Sequence, residues 1–476
     1  MIKRRNKPLL SSKFNNPNMK LNYIKLPLLL LLTANQLQAQ GPAITSWLQN
    51  TTKTGSYYKA GNSTTIANNI LVNCQKVEYS ADWVYVSTRG IPAYPTGPFQ
   101  DGNPSQASDQ NGIFKFPLKP QQNTGTSTAT TGGNIGLFIN GVALFDYRDG
   151  VAWNTSTNAL CGGPGNPPCP GGPGAAQSWN RDAIPAEKPG FDCSKGHPAM
   201  GNYHHHQNPS AFKLDKKVIS TVCNLYDADG LYVIDTTKHA PLIGFAYDGF
   251  PIYGAYGYKN ADGTGGIVRM KSGFQLRNIS VRTHHADGTD VPDGPMVGGT
   301  YPLGYFREDY EFKTHPGEAD YLDEHNGRFC ITPDYPQGIY CYFATVDANH
   351  NSAYPYVVGP TFYGVRTAAK VTAVGESTTV YTPSSTGLTP AEFGALNIRM
   401  FPNPATDLLA VQAGGLVKED LDLYLLDATG RQVMQTRINK GQTIAYFDMQ
   451  TLYPGMYVLC ARNGKQEWSQ QVLKVE

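Results

Sequence analysis

The sequence predicts a mainly β protein, with a large β-rich central domain carrying long loops and a small C-terminal β-sandwich behind it. Its 476 residues exceed what a single hydrophobic core ordinarily supports, so at least two folded units are expected. Glycine (50), proline (34) and tyrosine (29) are abundant while charged residues make up only 16%, a profile of turn-rich sheets rather than helical bundles. Short strand-like apolar runs also alternate with turn signals along much of the chain.

The N-terminus sets the compartment. Lys3, Arg4, Arg5, Lys7, Lys13, Lys20 and Lys25 precede the apolar run at 26–32, which is followed by Leu37-Gln38-Ala39-Gln40. This is the pattern of a signal peptide over residues 1–39, cleaved after Ala39. The apolar run is interrupted by Pro27 and is too short for a spanning helix, which needs about 20 apolar residues. No later segment is long enough either, so no membrane span is expected in the mature chain. Without the seven leader cations, 32 basic groups face 37 acidic ones. A mildly acidic chain with no basic stripe argues against a nucleic-acid partner.

Residues 40–75 form a polar segment rich in Thr and Asn. The alternation at 77–86 then predicts a strand. Residues 136–145 predict two short strands joined at Asn140-Gly141, a dipeptide whose members both tolerate positive φ. Long loops rich in Gly, Pro, Ser and Thr are expected near 95–133 and 150–190. At 373–396 the composition is that of a flexible linker, which bounds a central domain at 76–372. About seven short strands follow in 397–476, enough for a small sandwich.

Eight cysteines in an exported chain predict disulfides. Cys161 and Cys169 bracket a Gly/Pro loop, and Cys330 and Cys341 flank a turn, so both pairs are expected to bridge. A third bridge, Cys193 to Cys223, fits the spacing, while Cys74 and Cys460 are expected to stay unpaired. No CxxC is present, which argues against a cysteine zinc site.

All ten histidines fall between His197 and His350. If 203–206 is extended, His204 and His206 project to one face and Tyr203 and His205 to the other. Two neutral imidazoles on one face begin a transition-metal site, for which zinc and copper are both allowed; a stacked or solvated cluster is the alternative. Two carboxylates stand out as acid–base candidates. Asp248 lies in an aromatic run and reads equally as an Asx turn; Glu324 lies in Leu322-Asp323-Glu324-His325-Asn326-Gly327-Arg328, which reads equally as a solvated turn. No GxSxG, HExxH, P-loop or dinucleotide fingerprint occurs, which argues against the standard enzymes built on them.

Two resemblances follow from these motifs. FPNPA at 401–405, DATGRQV at 427–433, LYPGMYVL at 452–459 and a short basic-apolar tail make 397–476 similar to the type A C-terminal sorting domain of the Por, or type nine, secretion system of Bacteroidetes. That resemblance implies a secreted or cell-surface protein, the outer-membrane secretion machinery as partner, removal of the domain, and attachment to surface lipopolysaccharide. Residues 83–364 resemble the YHYH-motif family of bacterial exported proteins through 90–99, 141–145, His197 with 201–206, 247–254 and 322–328. Where the naming motif has a second tyrosine this chain has His205. The resemblance implies the extent of the domain and no reaction. His197, shortly upstream and part of the family pattern, ranks first as third metal ligand, then His325, then His284 or His285. Three functions stay open: a metal-dependent surface enzyme using Asp248 or Glu324, a non-catalytic metal-binding protein, and an adhesin or glycan binder.

Overall fold

The computed structural model describes residues 40–99, 106–163, 165–172, 177–217, 223, 230–383, 398–427, 429–463 and 466–475. The signal peptide expected over 1–39 lies outside them. The protein is mainly β, as predicted. The longest α-helix among the described residues, Ala183–Glu187, has five residues, and none is long and apolar enough to cross a membrane.

Where one strand is expected over 77–86, the chain forms a hairpin of Cys74–Tyr79 and Trp83–Thr88, with Val77 opposite Val86. The Ser80 hydroxyl accepts the Trp83 N–H at 3.2 Å and turns the chain in mid-pattern. Gly112–Pro117 and Ala369–Val371 extend this antiparallel sheet on one side, and Thr379–Tyr381 on the other. The sheet thereby overrides both boundaries expected for the central domain. Thr379–Tyr381, inside the expected linker, pairs with Cys74–Tyr79, and Ile44 and Trp47 of the expected N-terminal segment are buried in the main core. Composition marks 373–396 as flexible, yet three residues with β-forming side chains suffice for an edge strand. Residues 384–396 lie outside the described ones.

The second sheet has eight strands in the order His197–Ala199, Asn202–His205, Ala143–Phe145, Asn134–Phe138, Leu242–Ala246, Pro251–Tyr253, Ile339–Phe343, Gly327–Cys330. It is mixed, with Asn202–His205 parallel to Ala143–Phe145 and Pro251–Tyr253 parallel to Ile339–Phe343. Its apolar residues share one core with those of the five-stranded sheet. Trp47 stands between them, its ring centroid 5.6 Å from Phe116 and 5.3 Å from Phe245. The turn at Asn140-Gly141 uses positive φ at Gly141 alone (76°), and a Cβ there would meet the Thr88 hydroxyl at 2.2 Å, so glycine is required.

A separate core lies in the C-terminal region. Arg399–Phe401, Leu408–Gln412 and Ile444–Asp448 form one sheet, and Gln432–Ile438, Leu421–Leu426, Gly455–Asn463 and Gln466–Lys474 the other. Leu409, Val411 and Phe447 from the first meet Leu421, Leu423, Leu425 and Leu459 from the second in that core, as expected of a small sandwich.

Of the expected bridges, Cys161–Cys169 is formed. Cys330 and Cys341 are thiols, which corrects the expectation of a second staple, and Cys193 and Cys223 pack against one another. In the ladder Cys330 faces Ile339 and Cys341 faces Arg328, so the two cysteines are diagonal neighbours. Their side chains lie within hydrogen-bonding reach of each other but are not joined.

Candidate metal centre

The histidine motif folds as a hairpin at one edge of the eight-stranded sheet. Met200 and Gly201 both take positive φ (47° and 85°), the two-residue turn whose twist suits paired strands. The register that results sets His197 opposite His204, Pro198 opposite Tyr203 and Ala199 opposite Asn202. Residues facing each other across a ladder project to the same side, and His206, two residues beyond His204, joins them. One local hairpin therefore delivers three imidazoles to one point.

The Nε2 atoms of His204 and His206 are 3.0 Å apart, those of His197 and His206 3.3 Å, and the ligand atoms of all three lie within 4.8 Å of one another. Nδ1–H of His204 donates to the Asn202 carbonyl at 2.8 Å, and Nδ1–H of His206 to the Asp146 carbonyl at 2.6 Å. Because a carbonyl only accepts, both rings carry their proton on Nδ1 and turn the Nε2 lone pair to the common point. Phe145 stacks on His204 at a centroid distance of 3.8 Å, and Phe191 sits edge-on to His197 at 4.8 Å. All three imidazoles are buried. Burial first, then the neighbouring imidazoles, pushes the His206 pKa down to about 3 and that of His204 well below its usual range. With metal–nitrogen distances of about 2.0–2.1 Å, a tetrahedral ion requires donor atoms roughly 3.3 Å apart; the two short separations fit.

The opposite face of the same strand braces the hairpin. Tyr203 donates to both oxygens of buried Asp192, at 3.1 and 2.9 Å. Asp192 also accepts the N–H groups of Gly97, Ser194 and Gly196, each at 3.0 Å, which fixes the loop leading into His197. Burial is the main cause that raises the Asp192 pKa to about 7. His205 points away from the triad: Nδ1–H donates to the Lys195 carbonyl at 3.0 Å, and Nε2 accepts from the Tyr94 hydroxyl at 2.8 Å.

Of the residues singled out from sequence, the structure brings together His197, His204 and His206. His325 immediately precedes the strand pair at the opposite edge of the sheet, seven strand spacings or about 30 Å away. There its Nδ1 lies 2.8 Å from the Thr361 hydroxyl. His285 Nε2–H donates to the Ser178 carbonyl at 2.8 Å, and His284 is exposed beside Asp290. Asp248 is buried and accepts from the N–H of Phe250 at 3.2 Å, that of Gly364 at 2.8 Å and the Tyr342 hydroxyl at 2.5 Å. Those contacts give it the Asx-turn geometry, and burial raises its pKa to about 6. Glu324 is exposed. Sequence reasoning missed Glu187, whose Oε2 lies 3.4 Å from His197 Nε2 and 3.6 Å from His206 Nε2. No signal pointed to it, because Ala183–Glu187 lies in a stretch that reads as loop.

The family model described as YHYH protein matches residues 113–355, just over half of the chain. The model described as secretion system C-terminal sorting domain matches residues 399–475. No curated protein matches the chain.

Proposed function

This chain belongs to the YHYH protein family and ends in a secretion sorting domain, and from that premise we propose that it is an exported cell-surface protein whose central domain holds one transition-metal ion on His197, His204 and His206. The observation behind the metal is the convergence of three buried imidazole nitrogens, two with their Nδ1 protons already committed to backbone carbonyls. A merely stacked cluster gains nothing from turning its lone pairs toward each other, whereas neutral imidazole is a good donor to zinc or copper. Asp248 and Glu324 lie in other parts of the fold and lend no support to acid–base chemistry on this ion. The sorting domain engages the secretion machinery, and on this reading its removal and attachment of the mature chain to surface lipopolysaccharide follow export.

The test is elemental analysis of protein purified without an affinity tag or metal column, before and after dialysis against zinc or copper. One equivalent per chain is expected. The variant with both His204→Ala and His206→Ala should hold none while keeping its β-rich circular dichroism. Wild-type protein that takes up no metal, or a double variant that takes up as much, would overturn the proposal.

A further inference from the structure

Glu187 lies against the His197 and His206 side of the triad, and the surrounding structure holds it there. The helix Ala183–Glu187 is pinned at its start, where Asp182 caps the Ile184 N–H at 2.9 Å and accepts the Tyr356 hydroxyl at 2.5 Å. The Ala183 N–H adds a bond of 2.7 Å to the Tyr147 carbonyl. Directly after the helix, Lys188 and Gly190 are buried, and Phe191 packs against His197 and stacks over His206 at 6.3 Å. Residues 187–191 therefore cover the triad, and Glu187 is the member of that cover that turns a carboxyl oxygen inward.

The distances decide what that oxygen does. At 3.4 and 3.6 Å from two Nε2 atoms, it is too far for a strong charge-assisted hydrogen bond, which runs at about 2.7–2.9 Å. It is near the separation of roughly 3.3 Å between two donors on one tetrahedral ion. The His206 Nε2 presents a lone pair, since its ring proton is on Nδ1. A carboxylate oxygen and the lone pairs of His204 and His206 crowded into one buried site repel one another unless a proton or a metal ion lies between them.

We propose that Glu187 is the fourth ligand of the ion, so that the protein alone fills a three-histidine, one-carboxylate shell and leaves no coordination position for substrate. This rests on the triad holding a metal, and it makes the centre one that retains its ion instead of using it as a Lewis acid, since catalytic zinc keeps a water in its fourth position.

Cobalt(II) bound to the full secreted chain is the probe, with zinc(II) for affinity. Wild type should show the intense visible bands of four-coordinate cobalt. Glu187→Ala should shift those bands as water takes the carboxylate's place in the shell, and its zinc affinity should fall by more than about 100-fold, beyond the roughly 10- to 100-fold cost of losing an outer-sphere partner. Should Glu187→Ala fail to fold by circular dichroism, the near-isosteric Glu187→Gln carries the same test. A wild type that binds no cobalt or zinc ends the metal reading altogether. A wild type that binds one equivalent, with a Glu187 variant of unchanged spectrum and affinity, overturns the fourth ligand alone.

Discussion

Lowering the pH from 7 to 5 should cost almost no zinc affinity through His204 and His206. Protons and metal compete for the same imidazole nitrogens. At pH 5, exposed imidazoles with the ordinary pKa of about 6.5 are protonated about 30 to 1, so two of them together cost an affinity factor of several hundred relative to pH 7. In this protein burial holds His206 near 3 and His204 well below the usual range, so both stay neutral and the loss through them is under about twofold. The fold must also survive the change. The unfolded chain takes up protons on these two histidines below about 6.5, which erodes stability as pH falls. Burial raises Asp182 and Asp192 to about 8 and about 7, so the folded state takes up protons there before the unfolded chain does, which offsets the erosion. The assay is zinc competition against a chromophoric chelator at pH 7, 6 and 5, with near-ultraviolet circular dichroism to confirm the fold. A loss of several hundredfold, with about two protons taken up per ion released and an unchanged dichroism spectrum, would refute a buried, neutral pair.

Tyr203→Phe strips Asp192 of the phenol that reaches both its oxygens, at a cost of about 1.5–3 kcal/mol; thermal melting should shift down by several degrees, and an unmoved Tm would count against the brace. His205→Ala leaves the Lys195 carbonyl and the Tyr94 hydroxyl without this partner and should cost about 1–3 kcal/mol while one metal equivalent is retained; loss of metal would show that the two faces of the strand are not separable. Peptide mapping without reduction should recover Cys161 bridged to Cys169 and recover Cys330 and Cys341 as alkylated thiols. A Cys330–Cys341 bridged peptide would refute the reading of these neighbouring side chains as thiols. Sequencing of the surface form should begin within a few residues of Gln40 and end in or shortly after 373–396, whereas full-length chain in the cytoplasm would contradict both processing steps.

What was legible in the sequence was what depends on near neighbours. The separation of His204 and His206 from Tyr203 and His205 follows from the two-residue period of a strand and needs no knowledge of the fold. The C-terminal sandwich was legible for a similar reason, since its turns and strands follow one another in short antiparallel steps. His197 was reachable by proximity, but its register opposite His204 depends on a Met200-Gly201 turn that no standard dipeptide announces. Glu187 was out of reach because its position depends on Tyr356, far along the chain, anchoring Asp182. The Cys330–Cys341 expectation found the right neighbours: flanking a turn brings the two side chains within reach, yet as diagonal partners in the ladder they remain thiols. The boundary at 373 failed because composition measures the tendency to be flexible, while Thr379–Tyr381 is ordered by the partner strand.

The hairpin that carries the triad is also the margin of its sheet, with Pro198 in the outermost strand. Proline there denies an incoming strand one of the donors it would need. An ion held on this hairpin would rivet the two outermost strands together, and through Glu187 it would clamp the helix above them. All the donors fall between residues 187 and 206, so bringing them together closes only a short loop, although Glu187 is set in place by Tyr356 from far along the chain. A polypeptide that is exported before it folds would take its ion wherever that short stretch first becomes structured, outside the cytoplasm. The element found in the purified protein would then report the supply in that compartment as much as any preference of the ligands.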